Sequence, residues 1–230
     1  MNPFKYPIER HGRTQRPRRF KNYKTYKKFL RVEFSRKCVY CRQPDSSAPN
    51  LNFGVDHYRP SSRSEFAGLK YEYTNLYYCC GSCNCHKNNY WPDDEIAGMY
   101  VVNPCDFRMA DHMFFDGSNG VVVSGSDYGR FTIEILQLNN KELIAYRKGL
   151  LLMIVVLEKN IIRANSGKRK LNKMRKKDKI SAADYANAAR DLDVQIHNLK
   201  DALDRLTGDL PIPPIGTHRL NIPITTQGNP

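Results

Sequence analysis

From Tyr23 to Ser35 the positions Tyr23, Tyr26, Leu30 and Phe34 recur at helical spacing, with Lys24, Lys27, Lys28 and Arg31 between them. This pattern predicts a basic helix docked by its aromatic side. The period then changes to two. Leu51, Phe53 and Val55 alternate and run into Asp56-His57, as a half-buried strand does. After a polar loop, a second strand is expected near Tyr73–Tyr78, then a short helix. Met113–Phe115 and Val121–Val123 flank Asp116-Gly117-Ser118-Asn119-Gly120, a strong turn signal, so a hairpin is expected there. Phe131–Leu136 reads as a third strand of the same element.

Further on, Asn139 or Asn140 is placed to cap a long helix running to about Ile162, and Ser166-Gly167 breaks its pattern. Ser181, with Asp184 three residues later, opens another helix. Tyr185, Ala189, Leu192, Ile196, Leu199, Leu203 and Leu206 then step by four and three, a heptad seam stopped at Gly208. The seam either packs on the preceding long helix or meets a partner. Five segments follow: a basic arm without fixed structure over 1–19; a core with its leading helix over 20–98; a β element and long helix over 99–165; a basic linker and heptad helix over 166–207; and an extended Pro-rich tail over 208–230.

Composition adds a direction. The 230 residues carry a net charge of +14, which calls for a polyanionic partner. Residues 1–37 hold 13 Lys/Arg against 2 acids, 38–167 hold 12 against 14, and 168–230 hold 12 against 7. A slightly acidic centre thus lies between basic flanks, and Arg18, Arg19, Lys24, Lys27 and Lys28 are the first candidates for phosphate contact. The longest apolar run, Leu150 to Leu157, has 8 residues, far short of the roughly 20 that span a membrane. No secretory pattern opens the chain, and a cytoplasmic location is expected. In that setting seven cysteines, four of them between Cys79 and Cys85, favour metal ligation over disulfides.

Cys38-Val-Tyr-Cys41 and Cys80-Gly-Ser-Cys83 are two CxxC knuckles, enough for a closed tetrahedral zinc shell of structural type. Cys79 and Cys85 adjoin the second pair, but only Cys80/Cys83 has the two-residue gap. Between and just after the knuckles stand Asp56-His57, Asn75 and Asn84. A neutral imidazole can activate water beside a phosphodiester, and a hard cation on oxygen ligands can offset the leaving charge. His57 is the candidate base. Asp56 and Asn84 are the candidate oxygen ligands.

The order CxxC, Asp-His with Pro60 behind it, Asn-Leu, then CxxC-Asn-x-x-Lys resembles the zinc-bound branch of the HNH endonucleases over residues 38–88. The resemblance implies an α+β chain built on a ββα-metal core, with Cys38, Cys41, Cys80 and Cys83 on structural zinc and His57 as general base. Asp56 and Asn84 would hold one Mg²⁺ or Mn²⁺, since Asn84 stands where some members carry histidine. Asn75 would orient the His57 strand, and Lys87 would contact phosphate; Arg59, from its place in the loop after His57, is a further phosphate candidate, a solvated loop charge being the alternative. More loosely, the basic helix before Cys38, Asn103-Pro104-Cys105-Asp106, and Thr132-Ile133 through Leu138-Asn139 resemble the HNH subunit of Septu-type antiphage systems. That implies an ABC/SMC-like ATPase partner and double-stranded DNA as substrate. A tRNA-cleaving ribonuclease and a non-catalytic zinc module that binds nucleic acid are the rival functions.

Overall fold

The computed structural model describes residues 2–47 and 53–210. Leu51 of the expected first strand, and the tail beyond 210, lie outside them. The basic helix forms as a 3-10 turn, Tyr23–Tyr26, running into α1, Lys27–Glu33. Leu30 and Tyr26 point inward while Lys24, Lys27 and Lys28 stay exposed, which is the division the spacing implies. Strand β1, Phe53–His57, pairs antiparallel with β2, Leu76–Cys80, in a register that sets His57 opposite Leu76 and Phe53 opposite Cys80. Helix α2, Gly81–Lys87, leaves β2 without a loop. The expected second strand therefore starts later than predicted, because Tyr73–Asn75 forms a 3-10 turn first.

Helix α3, Met109–His112, leads into the predicted hairpin: β3, Met113–Asp116, pairs with β4, Val121–Ser124. Asp116 Oδ1 accepts from both the backbone N–H and the hydroxyl of Ser118, and Gly120 takes the positive φ of 75° that closes the turn. The expected third strand is instead a helix, α4, Asp127–Ile135. Ser126 accepts the Gly129 N–H at 3.0 Å as its N-cap, and Thr132 is fully buried with its hydroxyl bound to the Val102 N–H. The β-branched run Thr132-Ile133 was read locally; a cap and a buried face outweigh that propensity.

Asn140 caps α5 by accepting the Leu143 N–H at 2.8 Å. The helix does not stop at Ser166-Gly167 but runs from Lys141 to Lys176, 36 residues, so the expected segment boundary at 165/166 falls inside it. A mid-helix glycine costs about 1 kcal/mol relative to alanine. Here Gly167 lies against Leu192 of α6, Ala182–Thr207, and that packing offsets the cost. Ser181 and Asp184 form the expected cap, the Ser181 hydroxyl accepting the Asp184 N–H, and Gly208 ends α6 at φ 80°. Ile196 and Leu203 of the seam are buried and its other members half-buried, so the seam packs on α5. No helix among the described residues is long and apolar enough to cross a membrane.

The arm expected to lack fixed structure is held in place. Phe4 is 1% exposed and packs on Phe115 and Tyr146. Tyr6 donates to the Tyr40 carbonyl, and Glu33 of α1 accepts the Thr14 and Gln15 N–H groups. Charge and proline count hid two buried aromatic anchors.

Candidate functional site

Two features fix the knuckles. The Val39 N–H donates to the Tyr78 carbonyl at 3.0 Å, tying the first knuckle to β2, and the second knuckle is the β2–α2 junction itself. The sulfurs of Cys38, Cys41, Cys80 and Cys83 consequently lie within 4.8 Å of one another, all buried. A tetrahedral zinc with Zn–S near 2.3 Å requires sulfurs about 3.8 Å apart; Cys41 and Cys80 stand at 3.7 Å. Cys79, buried beside these sulfurs, donates to the Cys80 carbonyl and stands outside the mutually close four, and Cys85 is exposed. Burial raises the Cys38 thiol, but its sulfur neighbours outweigh this and hold it well below the usual range. The Cys80 thiol, raised by Cys38 but lowered more by Cys41, Cys79 and Cys83, is brought down to about 5. The neighbouring sulfurs push the Cys41 and Cys83 thiols the other way, well above the usual range; four soft sulfur donors this close together suit zinc, whose charge would hold all four as thiolates. Among the described residues no other group of three or more histidine, cysteine or carboxylate side chains converges in this way.

Asp56 lies 3% exposed, on the inward side of β1. Its Oδ2 accepts the Tyr40 hydroxyl at 2.6 Å and its Oδ1 accepts the Lys87 ammonium at 3.0 Å. Tyr40 sits inside the first knuckle and Lys87 ends the helix that carries the second. Asp56 therefore joins both knuckles to β1. Lys87, expected at a phosphate, is 1% exposed and donates also to the His57 carbonyl at 2.8 Å. It is an internal counter-ion and not a nucleic-acid contact, because a buried carboxylate without a cation would be far costlier.

Alternation along β1 turns the next residue outward. His57 packs its ring edge-on against Tyr23, centroids 4.6 Å apart, and its Nε2 lies 3.0 Å from the Lys70 carbonyl. A carbonyl can only accept, so Nε2 carries the proton of the neutral ring and Nδ1 keeps the lone pair. Burial, with the charges of Lys87 and Lys70, lowers the His57 pKa below its ordinary value against the opposing effect of Asp56 and the Lys70 carbonyl. The neutral, proton-accepting form is favoured.

No family model, curated protein or solved structure matches the chain.

Asn75, in the 3-10 turn before β2, binds the backbone that follows His57. Its Oδ1 accepts the Arg59 N–H at 2.9 Å and its Nδ2 donates to the Arg59 carbonyl at 3.0 Å, while its own carbonyl accepts the Tyr58 N–H. The two residues after His57 are thus clamped to the start of β2. Asn84 is half-buried on α2, one turn before Lys87, and no hydrogen bond joins it to Asp56 or His57. A hard divalent cation asks for at least six oxygens. With both Asp56 oxygens engaged by Lys87 and Tyr40, the expected pair does not form an open cation site in this arrangement. Arg59 is exposed, and so are Arg18, Arg19, Lys24, Lys27 and Lys28. Through Tyr23, the turn bearing Lys24 abuts His57. Sequence reasoning missed Tyr40, Tyr23 and the Lys70 carbonyl. Tyr40 had a signal in its place between the knuckle cysteines, and Tyr23 had one in the aromatic period; a backbone carbonyl has none.

Proposed function

We propose that this chain is a zinc-stapled endonuclease of HNH type, hydrolysing phosphodiester bonds with His57 as general base. The observation that carries the reading is the His57 environment: a strand-end imidazole held neutral, one nitrogen fixed on the Lys70 carbonyl, the other left with its lone pair. A module that only bound nucleic acid would have no use for that arrangement. Zinc on Cys38, Cys41, Cys80 and Cys83 would fix the β1–β2–α2 frame, with a structural role, since a four-thiolate shell leaves no position for substrate. The basic turn and helix from Tyr23 to Glu33 would bring phosphates toward His57, with an affinity that falls steeply with salt.

DNA as the substrate belongs to the proposal, as does dependence on Mg²⁺ or Mn²⁺, with ligands other than the Asp56–Asn84 pair, whose carboxylate is taken by Tyr40 and Lys87. From the Septu-type resemblance comes the further proposal of an antiphage role under a partner ATPase. The deciding experiment is nicking of supercoiled plasmid by the purified chain, in EDTA and with Mg²⁺ or Mn²⁺ added. Wild type is expected to cut with the divalent ion, and His57→Ala to bind DNA equally while cutting at least about a hundredfold more slowly, the lower bound of the roughly 10²–10⁴ range of general-base contributions. If both proteins bind plasmid and tRNA and neither cuts either one, with or without ions, the chain is a binding module.

A further inference from the structure

Next to the clamped segment after His57 lies a cleft of about 720 Å³, within the roughly 300–1,000 Å³ of small-ligand sites. Tyr58, Arg59 and Asn75, which immediately follow or fix the His57 strand end, form part of its wall; His57 itself does not. Trp91, 6% exposed and in contact with Tyr58 and Arg59, and Tyr100 belong to the same wall, and Phe107 and Tyr128 remain 44% and 38% exposed. Trp91 is set by its indole N–H, which donates to Glu95 at 2.9 Å, and by edge contacts with Tyr58 and Tyr100.

The charge in this cleft is cationic where it borders the His57 strand end. The Arg59 guanidinium lies 5.2 Å over the Trp91 ring and has no carboxylate partner among the described residues. Arg13 spreads its guanidinium over Tyr77 and Phe34 at 4.5 and 4.9 Å, donates to the Leu76 carbonyl, and leaves its Nε and Nη1 without any partner. The acids have other duties: Asp106 accepts from Asn103, and Glu95 from Trp91.

We propose that this cleft receives an unpaired nucleotide of the substrate strand, its base stacked among the aromatic side chains and its phosphate against Arg59. Each feature has its use there. Aromatic faces stack on a base of any sequence, and a guanidinium lying on an aromatic plane meets the phosphate bidentately. A paired base exposes only its edges to the side, so a duplex cannot use these ring faces without opening. A purely apolar ligand would leave the exposed Arg59 guanidinium without an anionic partner. The proposal rests on the nuclease reading for the destination of the strand, which would run from the cleft toward His57, though the binding itself does not need catalysis. It narrows the substrate to nucleic acid with a single-stranded, frayed or extruded nucleotide at the cut.

Trp91 is the one tryptophan in the chain, so its emission reports on the cleft directly. The test titrates full-length, zinc-bearing His57→Ala protein with a dye-labelled unpaired strand of about 12 nucleotides and with the matching duplex, following dye anisotropy and Trp91 emission together. The unpaired strand is expected to quench Trp91 and the duplex to leave it unchanged. Tyr128→Ala and Phe107→Ala, at the exposed rim, are each expected to weaken strand binding about tenfold, the factor that corresponds to roughly 1.4 kcal/mol of base stacking, with zinc content and thermal unfolding unchanged. A strand that binds by anisotropy without altering Trp91, a duplex that quenches equally, or rim variants of full affinity would each overturn the proposal. The nuclease reading fails separately. Quenching by the strand with no cutting by wild type sinks catalysis and leaves the cleft; cutting with a silent Trp91 does the reverse.

Discussion

In the β1–β2–α2 lobe no element exceeds seven residues, whereas the α5–α6 hairpin is made of helices of 36 and 26. The short elements could not stand alone, since helices under about 12 residues are marginal in water and two-stranded sheets hardly better. They are nonetheless the most buried part of the molecule: every residue of β2 is buried, and Tyr40, Tyr77 and Tyr78 have almost no exposure. The hairpin shows the opposite balance. Of α5 only Arg147, Leu150, Ile154 and Ala164 are buried, and Leu152, Met153 and Ile162 stand more than half exposed. One region has small elements fixed by sulfur, an internal ion pair and aromatic packing. The other has strong local propensity and a thin seam. Long elements can form on little burial; the short strand that ends at His57 needs cross-links that act over many residues of chain.

The largest effect expected from that contrast is metal removal. Structural zinc contributes about 10–16 kcal/mol in small zinc modules, so stripping it with a strong chelator, or Cys80→Ser, should abolish the ordered aromatic core around β2. Near-ultraviolet circular dichroism should collapse and Trp91 emission shift to the red, while the far-ultraviolet helix signal of α5 and α6 largely persists. One zinc per chain should be lost in step with the aromatic signal. Near-ultraviolet spectra that survive the loss of the metal would erase the distinction between the two regions.

Next comes the ion pair under His57. Lys87→Met leaves the Asp56 carboxylate buried without its cation, and breaking a buried pair on one side costs about 3–5 kcal/mol. Lys87→Met with Asp56→Leu, which removes both charges, should recover much of that. The hairpin has an ion pair too, Lys168–Asp193, but both side chains are a third or more exposed, and such pairs contribute about 0–1 kcal/mol. Lys168→Met should therefore be nearly silent in urea unfolding. Equal costs for the two lysine variants would mean that the lobe is not held as described.

The same contrast explains what the sequence makes legible. Knuckle spacing, the Asp116–Gly120 turn and the caps at Asn140 and Ser181 are local chemistry, and each appears where the local pattern puts it. His57, next to the buried Asp56, points to the other side of β1, as neighbours on a strand do. Asp56 and Lys87 are different. Their pairing spans 31 residues of chain, and nothing local in Cys83-Asn84-Cys85-His86-Lys87 says that the lysine turns inward. Phe4 and Tyr6, inside a basic stretch, find their partners more than 30 residues away or further. Helix α5 crosses Gly167 because α6 returns to cover it. Helix α4 forms because Ser126 and Val102 supply hydrogen bonds that a strand at Phe131–Leu136 would not use. Except for the Ser126 cap, which is local and is there to be read, the deciding partner in each case is distant, and single-sequence patterns carry no record of it.

A loss smaller than that of the zinc or of Lys87, though larger than that of the exposed Lys168 pair, tests the hairpin from its own side. Leu203 of α6 is 5% exposed and shares a cluster with Phe4, Leu150 and Ile154, next to the point where Ser46 donates to the Arg205 carbonyl and so fastens the hairpin near the first knuckle. Leu203→Ala removes buried methyl groups and leaves space that its neighbours fill only in part, which costs about 2–5 kcal/mol in well-packed sites. Because this seam is thin and open on one side, the surroundings can collapse toward the gap, and the lower end of that range is expected. Urea unfolding should register the loss, with amide exchange accelerated along α6 and unchanged in β2. Zinc content and Trp91 emission should stay at wild-type values. If β2 amides exchange faster by the same factor as those of α6, the two regions unfold as one cooperative unit, and zinc removal should then take the hairpin down with the lobe.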